Sequence, residues 1–215
     1  MNPHHVPMTV TARPESFTFE AGTTAVIVVD MQNDFADPKG SLSVAGGADT
    51  IPVVNAAAWA AIRAGAFVVY TQDWHPEHTP HFVQDGGIWP VHCVGDAWGS
   101  AFQPDLDVVG PSVHKGASGE DGYSGFTMRD PTTSAEIPTE LDALLRVRSI
   151  ERVVVCGLAT DYCVKATALD AVRLGYETTT LLDGIAAVDL APGDGDRALE
   201  EMRAAGVVLT FSGLA

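Results

Sequence analysis

Continuous apolar runs recur along the chain and predict strands that are buried on both faces. The first run, residues 25–30 (AVIVVD), is rich in β-branched residues, as is typical of a strand inside a parallel sheet. Comparable runs predict further strands at residues 67–71, 153–156, 177–182 and 207–211, with a shorter strand-like segment at residues 112–114.

Helical segments lie between these predicted strands. Residues 48–64 are Ala-rich and predict a helix that stops at Gly65. A second helix follows residues 153–156 and ends at Arg173, and a third covers residues 194–205. Strands that alternate with helices of this length form right-handed βαβ units. The pattern therefore predicts an α/β fold, a single domain with a doubly wound, mostly parallel sheet flanked by helices on both faces.

The length of 215 residues corresponds to one domain. We predict that residues 1–22, which are rich in Pro and polar residues, form an N-terminal extension on the surface, and that residues 23–215 form the domain. Hydrophobic residues make up 46% of the chain, which excludes global disorder. Residues 72–136 interrupt the alternation and contain five of the seven histidines, so we expect this long segment to be functional.

The charge balance excludes several classes of partner. Twelve Lys and Arg against 28 Asp and Glu give a net charge of −16, and such a surface repels phosphate backbones and anionic lipids. We expect a small-molecule substrate, no nucleic acid and no membrane, since there is also no apolar stretch of ~20 residues and no secretory signal. The odd number of three cysteines favours the reducing cytoplasm, and we expect Cys93 and Cys156 to be small buried side chains.

Three side chains near predicted strand ends can carry nucleophilic chemistry. Asp30 ends the first strand, where burial would raise its proton affinity and make it a base, although a cap or turn former is the ordinary alternative. Cys163 lies in the first turn of a helix, whose N–H groups favour a thiolate, lower the thiol pKa and can hold an oxyanion. Lys115 can hold this thiolate and a carboxylate together, although an exposed lysine is the commoner case.

Asp73 and four histidines lie close together in the sequence. Asp73 and His75 are two positions apart at a strand end, so in extended backbone they point the same way. His81 can fold back from a Pro-punctuated loop, and His92 is a candidate fourth ligand. One carboxylate with two or three imidazoles and open positions suits Zn²⁺, Fe²⁺ or Mn²⁺. A scatter of surface histidines is the alternative, and we assign only His78 to it.

Five motifs are similar to those of a known family. VVDMQNDF, TQDWHPEHTPHF, WPVHCV, HKG…YSGF and GLATDYCV occur in this order and resemble the nicotinamidases of the isochorismatase-like cysteine hydrolase superfamily. The first and last motifs alone indicate the superfamily, whereas Asp-x-His-x5-His with the following WPxHC is specific to the nicotinamidase branch. The resemblance implies a sheet of about six strands, with residues 23–215 as the isochorismatase-like hydrolase domain.

The resemblance also implies the functional residues. The catalytic triad would consist of Asp30, Lys115 and Cys163. One divalent transition metal ion (zinc, iron or manganese) would be bound by Asp73, His75 and His81, with His92 sometimes included. The substrate pocket would be lined by Phe35, Trp89, Tyr123 and Leu158. The oxyanion hole would use the N–H groups of Ala159 and Cys163, next to a cis peptide bond between Leu158 and Ala159.

The implied reaction is deamidation of nicotinamide to nicotinate and ammonia, a step of NAD salvage. Asp30 would take the thiol proton of Cys163, the thiolate would attack the carboxamide, and a water activated by Asp30 would hydrolyse the thioester. The metal would bind the pyridine nitrogen and orient the ring, with metal-bound water as the deacylating nucleophile in a variant of this mechanism.

Two other functions stay open at this point. One is another hydrolase of the superfamily, such as an isochorismatase or a carbamoyl-type amidase, and the other is a non-catalytic metal-binding protein of the same fold. Cleavage of pyrazinamide follows only from the resemblance. The sequence shows no recognisable subunit interface, so it leaves the oligomeric state open.

Overall fold

The computed structural model of the protein describes residues 17–214. Its strands are β1 Thr24–Val29, β2 Phe67–Asp73, β3 Ser112–Lys115, β4 Thr127–Arg129, β5 Glu136–Pro138, β6 Arg152–Leu158, β7 Glu177–Ala186 and β8 Val208–Thr210. In this part of the chain, six strands form a parallel sheet in the order β3-β2-β1-β6-β7-β8, and β4 and β5 form a separate antiparallel pair.

Helices occupy the connections between the strands. They are α1 Asn33–Ala36, α2 Ile51–Arg63, α3 Leu141–Arg146, α4 Lys165–Arg173 and α5 Asp194–Ala204. One turn of π-helix, Thr160–Val164, joins β6 to α4. The predicted class, a doubly wound α/β domain, is confirmed.

The central strand β1 shows why the sheet is covered on both faces. All six of its residues are buried, and successive side chains of a strand point to opposite faces. Val26 and Val28 pack in a cluster with apolar residues of α2. Ala25, Ile27 and Val29 pack in a second cluster with residues of α3 and α4. The β-branched run therefore forms the middle of two cores, one on each side of the sheet.

The differences from the predicted elements lie in short or irregular segments. β7 continues to Ala186, beyond its predicted end, and its register with β6 shifts between Val155 and Gly157. The sequence pattern did not predict α1, α3 or the pair of β4 and β5. These elements are too short to show a hydrophobic period of their own.

The predicted N-terminal extension is described only from residue 17 onward. The Phe17 N–H donates a hydrogen bond of 3.2 Å to the Ser212 carbonyl. The rings of Phe17 and Phe19 pack edge to face at 5.1 Å against the core on the α2 side. Residues 1–16 lie outside the described residues, and the boundary at residue 23 stays a prediction. Among residues 17–214, no helix is long and apolar enough to cross a membrane.

Candidate active site

The carboxyl ends of neighbouring parallel strands lie at one edge of the sheet, which is where open α/β folds place their chemistry. Asp73 and Lys115 end β2 and β3 and are register partners. Asp30 follows β1 directly, and Cys163 lies in the π-turn that follows β6. The topology therefore brings to one place four residues that are remote in sequence.

We call Asp30, Lys115 and Cys163 the strand-end cluster, because each side chain is placed by the end of a strand. The Lys115 Nζ atom lies 2.8 Å from Asp30 Oδ2 and 3.6 Å from Cys163 Sγ, and it also contacts Asp73 Oδ1. Carboxylate oxygens of Asp30 and Asp73 and the Cys163 sulfur lie within 4.8 Å of one another. The structure thus brings the three predicted catalytic residues into mutual reach.

The strand-end cluster is buried, and burial controls its protonation. The pKa of Asp30 is raised because the carboxylate loses water, and Lys115 only partly opposes this. Burial disfavours the Lys115 ammonium, but Asp30 and Asp73 outweigh it and raise the pKa of Lys115 well above its usual value. Burial also opposes ionisation of Asp73, but the charges of Lys115 and then His75 lower the pKa of Asp73 to about 2.

The prediction of a lowered thiol pKa at Cys163 is wrong. Burial raises the pKa of Cys163 well above its usual value, and the carboxylates of Asp30 and Asp73 add to this effect against Lys115. The sequence showed a helix start and a nearby cation, but it did not show how completely the sulfur is removed from water. The resting side chain is therefore a neutral thiol that needs a base.

The other two cysteines are buried, as predicted. Burial raises the pKa of Cys156 to about 12 and that of Cys93 well above its usual value. Neither thiol lines the cavity described below. Cys163 is thus the only one of the three that meets both a lysine and a carboxylate at a cavity wall within residues 17–214.

His75, His81 and His92 form a second group, the histidine cluster. One ring nitrogen of each lies within 4.8 Å of those of the other two, and all three side chains are buried. The Nε2 atoms of His75 and His92 each lie 3.9 Å from Asp73 Oδ2. Asp73 therefore stands between the clusters, with Oδ1 on Lys115 and Oδ2 on the histidine side. His78, by contrast, is exposed as predicted.

The protonation of the histidine cluster fits a metal ion. Burial lowers the pKa of His75 to about 4 and also lowers that of His92, so both imidazoles are neutral near pH 7. Among the described residues, neither ring nitrogen of His75 has a hydrogen-bond partner, although both are buried. His92 Nδ1 lies 2.8 Å from the Pro90 carbonyl, which leaves its Nε2 lone pair free. Neutral, converging imidazoles beside a carboxylate are the donor set of a transition metal.

The loops that carry the histidines are fixed by backbone pairing. The His75 N–H donates to the Cys93 carbonyl at 2.9 Å, and its carbonyl accepts from the Gly95 N–H at 2.8 Å. The Trp89 N–H likewise donates to the His81 carbonyl at 3.3 Å. The loop is thus held as a short parallel extension beside β2, which the sequence did not predict.

One cavity that opens to solvent joins the two clusters. Its wall includes all four residues predicted to bind substrate, namely Phe35, Trp89, Tyr123 and Leu158. Cys163, Ala159, His81, His92 and Asp73 also line it. The peptide bond between Leu158 and Ala159 is cis, as the resemblance implied. The cavity therefore presents a sulfur and a candidate metal site to the same small ligand.

The rings of Phe35, Trp89, Tyr123 and Tyr162 form the aromatic wall of the cavity. One of them, Tyr162, was missed by the sequence analysis. Trp89 Nε1–H donates to the Tyr123 hydroxyl at 3.0 Å, and Trp89 packs edge to face on Tyr162 at 5.2 Å. Tyr162 also lines the cavity. It directly precedes Cys163 in GLATDYCV, so its position in the motif was the available signal.

Two further missed residues orient the carboxylates. The Gln32 side chain makes two hydrogen bonds to the Asp73 backbone. Its Nε2 donates to the Asp73 carbonyl at 2.7 Å, and its Oε1 accepts from the Asp73 N–H at 2.8 Å. The Thr71 hydroxyl donates to Asp30 Oδ1 at 2.6 Å. The period-2 alternation of β2 places Thr71 and Asp73 on one face, which was a usable signal. Nothing in the sequence paired Gln32 with Asp73.

Comparison with known proteins defines the class. A sequence model of the isochorismatase domain matches residues 24–212. The chain therefore belongs to the isochorismatase family.

Individual relatives are more specific. The nicotinamidase of Escherichia coli K12 is 37% identical over 204 residues, covering 86% of this chain and 93% of that protein. The pyrazinamidase of Pyrococcus horikoshii, solved in complex with zinc, is 40% identical with a TM-score of 0.77, covering 87% of this chain and 98% of that one. PnC1 from L. infantum, solved in complex with nicotinate, is 35% identical with a TM-score of 0.82, covering 93% and 98%.

Proposed function

We propose that this protein is an amide hydrolase that converts nicotinamide into nicotinate and ammonia. One observation carries the proposal: the Lys115 ammonium touches Asp30 and the Cys163 sulfur at the wall of an aromatic cavity beside three converging imidazoles. The nicotinamidase relatives and the nicotinate complex of the L. infantum protein support the choice of substrate.

The acylation half of the reaction uses the strand-end cluster. Asp30 takes the proton of the neutral Cys163 thiol, and Lys115 stabilises the charges that result. The sulfur attacks the carboxamide carbon, and the N–H groups of Ala159 and Cys163 hold the oxyanion, where one such donor typically contributes ~10²–10³ in rate. Asp30 returns the proton to the amide nitrogen, the C–N bond breaks, and ammonia leaves a thioester on Cys163.

Deacylation returns the enzyme to its starting state. A water molecule loses a proton to Asp30 and its oxygen attacks the thioester carbon. The C–S bond breaks, Asp30 reprotonates the Cys163 sulfur, and the acid that leaves loses its remaining proton to solvent and becomes nicotinate. The raised pKa of Asp30 suits a group that accepts and gives a proton in each half-reaction.

We assign the metal to Asp73 together with the histidine cluster of His75, His81 and His92. When bound, the ion supplies a Lewis-acid position for the ring nitrogen of the substrate. The zinc complex of the P. horikoshii pyrazinamidase supports zinc, and the same donors also accept iron or manganese. Phe35, Trp89, Tyr123 and Leu158 contact the ring. Pyrazinamide is part of the proposal, because it offers the same carboxamide and an equivalent ring nitrogen.

The proposal extends to the whole chain. We assign residues 23–215 to the hydrolase domain, which the family match from residue 24 supports, and residues 1–22 to an extension. The three free, buried cysteines favour a cytoplasmic location.

An ammonia-release assay with nicotinamide tests the function. We expect turnover by the metal-loaded protein and its loss after treatment with a chelator, with recovery when zinc is added back. Turnover that survives removal of the metal would reject the assigned metal role. A lack of ammonia release from the fully loaded protein would reject the substrate.

A further inference from the structure

An aspartate outside both clusters, Asp121, contacts one imidazole of the histidine cluster. Asp121 Oδ1 lies 2.7 Å from His81 Nδ1. The His81 side chain is almost completely buried, whereas 54% of the Asp121 side chain is exposed. Because Nδ1 faces the carboxylate, Nε2 is the nitrogen of His81 that is left for the cluster. A carboxylate can only accept a hydrogen bond, so an imidazole that donates to Asp121 carries its proton on Nδ1.

Asp121 is itself held in place by the chain around it. Its N–H donates to the Arg129 carbonyl at 2.9 Å, and the two residues form an antiparallel bridge next to β4. The carboxylate therefore sits on backbone that is paired with a strand, although the side chain is half in solvent.

The loop that carries Asp121 also approaches a second imidazole. Gly116, directly after Lys115, has a φ of +86°, and a Cβ atom there would lie 2.6 Å from His75 Nδ1. Residues 116–122 therefore begin at the strand-end cluster, pass close to His75, and return to His81. No other residue type fits at position 116 without displacing His75.

We infer that Asp121 is a positioning residue for the metal site, which orients His81 and fixes its tautomer so that Nε2 binds the ion. Ligating histidines commonly give their other nitrogen to a carboxylate, and loss of such a partner typically lowers metal affinity ~10–100-fold. This inference rests on the metal site proposed above and adds a residue that does not touch the ion or the substrate.

The test is metal affinity, measured by zinc competition with a chromogenic chelator. We expect Asp121→Ala to bind zinc ~10–100-fold more weakly than the parent protein. Asp121→Asn keeps an acceptor oxygen but not the charge, so we expect an intermediate loss. Glu120→Ala is the matched control, because this neighbouring carboxylate accepts from the Ser118 N–H within the same loop, and we expect its affinity within about twofold of the parent.

A second readout separates positioning from general damage. In the cobalt-substituted protein, Asp121→Ala should change the visible absorption of the metal centre, whereas the melting temperature of the metal-free variant should match that of the parent. If Asp121→Ala does not fold, the same measurements on Asp121→Asn decide.

Three outcomes would overturn the inference. Equal zinc affinity of Asp121→Ala and the parent would do so while leaving the metal site intact, provided that His81→Ala loses zinc. An equal loss in Glu120→Ala would show a loop effect instead of a specific contact. A parent protein that binds no zinc, iron or manganese would reject the metal site, and the role of Asp121 with it.

Discussion

The strand-end cluster and the histidine cluster share one cavity but are held by different kinds of structure. Asp30 follows β1 and Lys115 ends β3, and both strands pair with β2, so the register of the sheet fixes the distance between the two residues. The histidines lie on loops that are held by a few backbone hydrogen bonds between residues 75 and 95. Lys115 in the first cluster is charged, His75 and His92 in the second are neutral near pH 7 because burial lowers their pKa, and Asp73 contacts both clusters.

Because the two clusters differ in this way, we expect each to have its own role in the reaction, and the two roles can be tested independently. In the proposed reaction, the strand-end cluster exchanges protons and forms the covalent bond. The histidine cluster orients the substrate through the proposed metal ion. Changes to the first should therefore lower kcat, and changes to the second should lower metal content and raise KM.

The largest expected effect is on the strand-end cluster. Cys163→Ala removes the proposed nucleophile, and we expect kcat to fall by at least ~10⁴-fold, while metal content stays near that of the parent. Ammonia release and metal analysis of the same sample measure both. Cys156→Ala, which removes a buried thiol outside the cavity, is the control and should retain turnover. Appreciable turnover in Cys163→Ala would show that the sulfur is not the nucleophile.

The next effect should appear in the histidine cluster. His75→Ala removes a proposed metal ligand whose nitrogens lack another partner among the described residues, so we expect metal content to fall and KM for nicotinamide to rise at least ~10-fold. His78→Ala serves as the control, because that ring is exposed. Unchanged metal content and KM in His75→Ala would remove the orienting role of this cluster.

A smaller effect concerns the charge on Asp30. The Thr71 hydroxyl stabilises the ionised carboxylate, so Thr71→Val should raise the already raised pKa of Asp30 further. Because Asp30 must be ionised to take the thiol proton, the acid limb of kcat/KM should move to higher pH, by about one unit. Thr180→Val, a buried threonine on β7, should leave the profile in place. A shift to lower pH would show that the acid limb belongs to another group.

The smallest expected effect lies in the aromatic wall. Tyr123→Phe removes the acceptor of the Trp89 Nε1–H, a hydrogen bond worth ~1 kcal/mol. We expect KM to rise about fivefold with kcat nearly unchanged. Tyr176→Phe loses a hydroxyl contact to Asp142, and neither residue lines the cavity, so KM should stay unchanged. A fall in kcat alone would place Tyr123 in the chemical step.

The fold and much of the site could be predicted because strand ends are visible in sequence. A β-branched run followed by a carboxylate indicated Asp30, and the rule that parallel strands end at one edge brought the Lys115 region and the turn after Cys156 near it. The choice of Lys115 over an ordinary exposed lysine came from the family resemblance. The protonation of Cys163 could not be predicted in the same way. The direction of the pKa shift at Cys163 depends on whether the effect of burial exceeds the opposing effect of Lys115. The depth of burial is a property of the packed chain.

The supporting residues were missed for a related reason. Gln32 and Asp121 act on residues with which they share no sequence periodicity. Their contacts exist because a turn after β1 approaches the end of β2, and a loop after β3 approaches the loop that follows β2. Such pairings follow from the positions of loops, which local patterns do not specify. Thr71 was accessible to prediction, because it lies on the same face of a strand as Asp73.

The strand order also has a consequence for synthesis of the chain. β1 lies between β2 and β6, and its partner β6 begins only at Arg152. A ribosome that adds 5–20 residues per second reaches that strand roughly ten seconds after β1. During this interval one edge of Thr24–Val29 exposes unpaired N–H and C=O groups along an apolar strand, and such an edge readily pairs with other chains. We therefore expect aggregation to begin between incomplete chains on neighbouring ribosomes that translate the same messenger RNA.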